Sequence, residues 1–223
     1  MKHPASILVF AKAPVPGLAK TRLIPALGRD GAADFQAALT RRSLGTACTA
    51  FPGAVTLCCT PDTSDPWFQG LAAEFSVRLW DQLGADLGAR MDHALTQALV
   101  DHERAILIGT DCPVLTSDML RDVDTAMKEG EAETVIVPAE DGGYVLVALS
   151  RPFPTLFTGI EWGTERVLTE TVHRIDEDGR PARILSPLWD IDEPDDLKRL
   201  RRQRPDIYNS VKPNKPMSEE IDR

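Results

Sequence analysis

The chain has 223 residues, of which 43% are hydrophobic and 26% charged, and its formal net charge is −9. That is enough chain for one domain with a substantial core, and too ordinary a composition for a disordered or membrane-embedded protein. The negative charge, with no interleaving of aromatic and basic residues, excludes nucleic acid as a partner. No apolar stretch approaches the roughly 18 residues of a membrane span. The N-terminal apolar run is cut by Lys12 and prolines, so it lacks the central segment of a signal peptide, and a cytoplasmic location is expected.

The first element is the apolar run Ile7-Leu8-Val9-Phe10, which reads as a buried strand. It opens into a loop holding Pro14, Pro16 and Gly17 before delivering Lys20, Thr21 and Arg22. Residues 1–29 carry Lys2, Lys12, Lys20, Arg22 and Arg29 and no acidic side chain, while the other 20 basic residues face all 34 acidic ones. A local positive site on an acidic protein predicts one bound anionic group, not an extended polyanion. The alternative is that Lys20 and Arg22 are solvated charges on a first helical turn. PGLAKT is not a P-loop, because Ala19 and Pro14 stand where that pattern requires glycine.

Asp30 begins a helical pattern running to about residue 49, with Phe35, Leu39 and Leu44 on a common face. A strand over 54–60, a short helix near 68–74 and a strand over 76–80 follow. Asp86 is expected to cap a helix that carries Leu87, Met91, Leu95 and Leu99 inward. A fourth strand, 105–108, stops at GTDCP. A helix over Ser117–Lys128, capped by Thr116 or Ser117, leads to a strand over 134–137, the turn PAEDGG, and a strand over 144–149 that forms a hairpin or a bulged insertion. A helix over 164–176, a strand over 182–185 and a helix from Pro194 to Arg202 complete the order. Continuous apolar strands alternating with helices predict a doubly wound α/β domain over residues 1–203. Residues 204–223, with three prolines and no apolar period, read as an extended or disordered tail.

In such a sheet ligands bind beyond the carboxyl ends of the strands, where both the Lys20/Arg22 loop and Asp111 fall. Asp111 is placed to hold a hard cation such as Mg²⁺; its other reading is a loop cap. DGGY at 141–144 either lets backbone approach a ligand or makes a hairpin turn. In LWDIDEPDDL at 188–197, Asp190 and Asp192 share one face of an extended segment, and Glu193, Asp195 and Asp196 suit a helix N-terminus. Cations from one loop and carboxylates from two others are the components of metal-assisted phosphoryl or pyrophosphate chemistry. Cys48, Cys58, Cys59 and Cys112 have no metal-ligand spacing and are expected to be small buried thiols. The histidines, His3, His93, His102 and His173, are scattered without a motif.

FAKAPVPGLAKTRL, DLGARM, LIGTDCPVLT, PAEDGGYVLVAL, EWGT and WDIDEPDDL, in that order between residues 5 and about 200, resemble the bacterial GT-A-like members of the nucleotide-diphospho-sugar transferase superfamily, in the group labelled glycosyltransferase A-like. The resemblance implies a Rossmann-like GT-A fold of the α/β class, with a mostly parallel central sheet, one antiparallel element and helices on both faces. It implies a nucleotide or nucleotide-sugar substrate, a small-molecule acceptor and a divalent metal, Mg²⁺ or Mn²⁺. It places Lys20 and Arg22 on the triphosphate, Asp111 as the first metal carboxylate, and Asp192 as the second, with Asp190 as its alternative. Lys12, Gly17 and Thr21, Gln82 near the base or acceptor, and Gly142 and Gly143 complete the implied nucleotide-binding set. Val137 and Ala148 stand where the family often has glycine.

The expected activity is nucleotidyl transfer from an NTP to a small phosphorylated or sugar-like acceptor, because paired cations suit a leaving pyrophosphate. Glycosyl transfer from an NDP-sugar and nucleotide binding without catalysis are the alternatives. No residue reveals the base, the sugar, the acceptor or the oligomeric state.

Overall fold

Alternate residues of strand β1 (His3–Lys12) feed different cores. Ile7 and Val9 enter one cluster with Leu44, Phe68, Leu71 and Leu120, whereas Leu8 and Phe10 enter another with Met91, Leu95, Leu99 and Phe157. A strand buried on both faces needs helices on both. The computed structural model, which describes residues 2–213, has that layered form.

Strands β2 (Val55–Thr60), β3 (Arg78–Asp81), β4 (His102–Ile108), β5 (Thr134–Pro138), β6 (Tyr144–Leu149) and β7 (Ala182–Ile184) complete a seven-stranded sheet of order β3-β2-β1-β4-β6-β5-β7. β6 runs antiparallel to both β4 and β5, and the other pairings are parallel. This is the mostly parallel α/β sheet with one antiparallel strand that the sequence leads one to expect. Between β5 and β6 the register shifts at Val137/Pro138, so the hairpin is also bulged.

Seven α-helices cover the sheet among the described residues: α1 (Ile24–Ala50, broken at Gly28), α2 (Pro66–Phe75), α3 (Leu87–Asp101), α4 (Ser117–Lys128), α5 (Val167–Asp178), α6 (Pro194–Gln203) and α7 (Pro205–Val211). Two of the expected caps are present, while Asp30, read as a third, lies inside α1, which starts at Ile24. Asp86 accepts from Ala89 N at 2.8 Å to start α3, and Thr116 accepts from Met119 N at 3.2 Å to start α4. Cys58 and Cys59, adjacent on β2, are buried in opposite cores as period-two alternation requires. Among the described residues, no helix is long and apolar enough to cross a membrane.

Two expectations are corrected. Leu87 does not point inward: it is the first residue of α3 and 44% exposed, and the buried stripe of that helix runs through Met91, Leu95 and Leu99. The tail is not wholly extended either, because residues 205–211 form α7. Ile207, Tyr208 and Val211, spaced for one helical face, are buried against Phe35, Leu39 and Trp189 in a third cluster. Pro205, which obscures this period in the sequence, sits at the helix start, where a missing N–H is harmless. Residues 214–223 of the expected tail lie outside the described residues.

Because Ile207 is 1% exposed, Ile207→Ala is expected to lower stability by about 2–4 kcal/mol in urea unfolding. An unchanged midpoint would mean that α7 is not part of the core.

Candidate functional site

The carboxyl ends of β1, β2 and β4 and the start of β6 meet at one edge of the sheet. There the chain has gone to β2 on one side of β1 and to β4 on the other, the crossing point at which such sheets open a crevice. A cleft of about 570 Å³ lies at this point, with Lys12, Thr60, Thr110 and Tyr144 on its wall.

The loop after β1 is tied down by its backbone. Ala13 N donates to Thr60 O at 2.8 Å, and Leu18 N and Ala19 N both donate to Val15 O, at 2.9 and 3.0 Å. Lys20 then adopts a left-handed backbone, φ 45° and ψ 50°, which is unusual for a lysine. Its side chain is only 5% exposed. Nζ lies 2.8 Å from Asp111 Oδ1, and it donates to Asp192 Oδ1 at 2.8 Å and to Ile191 O at 2.5 Å. Burial pushes the ammonium toward losing its proton, but Asp111 and Asp192 outweigh it and the pKa is raised.

This geometry bears on the expectation that Lys20 contacts a triphosphate. Nζ donates to Ile191 O and Asp192 Oδ1 and is ion-paired with Asp111 Oδ1, so three protein oxygens already surround this ammonium on the cleft wall. The cations at the open surface of the cleft are others. Arg22 is 67% exposed and lies 3.5 Å from Glu193. Lys12, which donates to Leu18 O at 3.2 Å, and Arg90, which donates Nε to Gly84 O at 3.2 Å, also line the cleft.

Asp141, Asp190 and Asp192 each place a carboxylate oxygen within 4.8 Å of the others. Backbone pairing brings these acids together from two segments. Glu140 N donates to Leu188 O at 3.0 Å and Leu188 N to Pro138 O at 2.9 Å, while Ile191 N donates to Asp111 O at 2.9 Å. Burial, reinforced by Asp141 and Asp192, pushes the Asp190 carboxyl up to about 6. Converging carboxylate oxygens are the donor set of a hard divalent cation, so the residues fit Mg²⁺ or Mn²⁺.

Asp190 and Asp192, which the sequence leaves as alternatives, both belong to this group. Asp111 does not: its Oδ1 is buried against Lys20. Asp141 escapes sequence reasoning as a ligand because Asp-Gly reads first as a turn.

Thr21 and Gln82 line the cleft as expected, and Gln82 Nε2 is pinned to Ala11 O at 3.2 Å and Cys58 O at 2.8 Å. Gly17, Gly142 and Gly143 do not line it. Gly142 has φ +93°, and a Cβ there would lie 2.3 Å from Glu165 O, so packing against the segment before α5 requires the glycine. Gly143 N donates to Asp141 Oδ1 at 2.9 Å and so helps to hold that carboxylate. Sequence reasoning also misses Gln36, which is 6% exposed and donates to Thr110 Oγ1 at 3.0 Å on the cleft wall. The available signal was a polar side chain beside Phe35 in the apolar stripe of α1.

The crowding of Asp190 has a measurable consequence. Its carboxyl takes up a proton in the folded chain at a higher pH than in the unfolded chain, so it disfavours folding fully above about pH 6 and not at all below about pH 4. In metal-free buffer Asp190→Asn is therefore expected to be more stable than the wild type at pH 7, by about 1–2 kcal/mol after allowance for solvent screening. The difference should shrink as the pH falls from 6 to 4 in urea unfolding. A difference that does not vary with pH would contradict the crowding.

A family profile described as "uncharacterized protein conserved in bacteria (DUF2064)" matches residues 43–164. Among solved structures, a candidate nucleotide-diphospho-sugar transferase from Desulfovibrio desulfuricans G20 is 30% identical over 94% of each chain, with a TM-score of 0.83. A cytidylyltransferase from Leptospira borgpetersenii serovar Hardjo-bovis is 14% identical over 96% of this chain and 98% of that one, with a TM-score of 0.60. Rv0371c from Mycobacterium tuberculosis H37Rv, in complex with manganese, is 16% identical over 90% and 98%, with a TM-score of 0.50. The latter two are likenesses of fold. No curated protein matches. The chain belongs to the DUF2064 family and has the GT-A-like fold of the nucleotide-diphospho-sugar transferase superfamily.

Proposed function

We propose that this protein is a metal-dependent nucleotidyltransferase, moving a nucleoside monophosphate from an NTP to a small phosphorylated acceptor and releasing pyrophosphate. The observation that carries the reading is the mixed charge of the cleft: Arg22, Lys12 and Arg90 line it together with Asp190 and Asp192, whose carboxylates converge with that of Asp141. Such a cleft suits a polyanion together with a divalent cation.

In this reading Asp141, Asp190 and Asp192 hold Mg²⁺ or Mn²⁺. The bound ion neutralises phosphate charge and polarises the phosphorus under attack. Arg22, Lys12 and Arg90 take the β- and γ-phosphates and stabilise the charge that builds on pyrophosphate as the bond from the α-phosphorus breaks. Lys20 keeps Asp111 and Asp192 in place from beneath. No residue of the cleft wall is a histidine among those described. An acceptor that is already ionised, such as a phosphate monoester, needs no base to remove a proton before its oxygen attacks, and this favours phosphorylated acceptors. The resemblance to a candidate sugar transferase at 30% identity supports a second reading, glycosyl transfer with release of an NDP.

A panel of NTPs and NDP-sugars, each with Mn²⁺ and a set of sugar phosphates, separates these. Acceptor-dependent pyrophosphate release is expected from an NTP. Release of NDP from an NDP-sugar would establish the second reading, and saturable binding without turnover would leave a nucleotide-binding module. Arg22→Ala is expected to lower kcat/KM by about 10- to 100-fold, the loss of one charged contact, with the melting temperature nearly unchanged. Full activity in that variant would remove Arg22 from the phosphate site.

A further inference from the structure

We propose that the Lys20 ammonium occupies the position of a second cation, so that this site takes one divalent ion, not two. The inference rests on the metal-dependent reading above and concerns how many ions that site admits.

Three oxygens converge on one point: Asp111 Oδ1 at 2.8 Å, Asp192 Oδ1 at 2.8 Å and Ile191 O at 2.5 Å. Two carboxylates and a backbone carbonyl make a donor set that would suit a hard divalent cation equally well. Here an amine nitrogen fills the point. It does so as a built part of the fold, because the side chain is 5% exposed and its backbone is held in the left-handed region, with Lys20 O accepting from Leu23 N at 2.9 Å. A long surface lysine visiting two acids would show neither feature.

Asp192 connects this point to the neighbouring one. It contributes to the Asp141, Asp190 and Asp192 group, and its Oδ1 also accepts from Lys20. One carboxylate shared between two adjacent cation positions is the layout of a two-metal site, where the ions lie about 3.5–4 Å apart. In this chain one position is left for a soluble ion, and a tethered ammonium of single charge holds the other. The fixed cation cannot dissociate, so metal dependence should be non-cooperative.

The test is the number of Mn²⁺ ions bound per chain, by electron paramagnetic resonance titration of the full-length protein without nucleotide. The wild type is expected to bind one ion. Lys20→Met, which keeps the stem and removes the charge, is expected to bind two, and Lys20→Met combined with Asp111→Asn to return to one. Two ions on the wild type, or a folded Lys20→Met that still binds one, would overturn the inference while leaving the metal-dependent reading intact. A wild type that binds none overturns both. If circular dichroism shows Lys20→Met to be unfolded, Asp111→Asn alone decides: it should still bind one ion within about threefold of the wild-type affinity, whereas loss of that ion makes Asp111 a ligand and removes Lys20 from the role.

Discussion

The buried ammonium of Lys20 joins three parts of the chain that are far apart in sequence. It sits on the loop after β1, touches Asp111 at the end of β4, and reaches Ile191 O and Asp192 beyond β7. Removing it would leave two partly exposed carboxylates facing a point with no counter-charge. The strained backbone of Lys20 is held in place by these contacts together with the turn that follows. The floor of the cleft is therefore set by electrostatics, while its walls are set by the sheet.

The sheet supplies the rest by topology. Parallel β1, β2 and β4 deliver their carboxyl ends to one edge, and the antiparallel β6 delivers its start to the same edge, next to the Asp141 turn. The 188–192 segment is laced by backbone hydrogen bonds between that turn and the end of β4, so Asp190 and Asp192 have little freedom to separate. An acidic protein thus carries both a concentrated negative group and a cationic rim in one cleft. In the proposed function the first would hold a metal ion and the second a polyphosphate.

Much of this was legible in the sequence because local chemistry and tertiary demand agree there. Apolar runs at residues 7–10 and 105–108 are strands because both faces are covered, and Asp86 and Thr116 cap helices because their side chains reach free backbone N–H groups. Reading failed where one residue serves two roles. Asp141 looks like the acid of a hairpin turn, and it is that, yet its carboxylate also meets two others contributed by residues some fifty positions away. Charge says nothing of the depth of Lys20, and only the fold shows that protein oxygens already surround it. Pro205 masks α7 because proline stops a helix in its interior but not at its start. Gly142 also meets a backbone packing need against Glu165 that the sequence does not reveal.

The central claim is that a nucleoside triphosphate and a divalent ion share this cleft, each completing the other's site. Isothermal titration of an NTP into the metal-free protein, with Mn²⁺ and then with EDTA, tests it most directly. The account predicts saturable binding that is at least about tenfold tighter with the ion present. Equal affinity in the two conditions would contradict it.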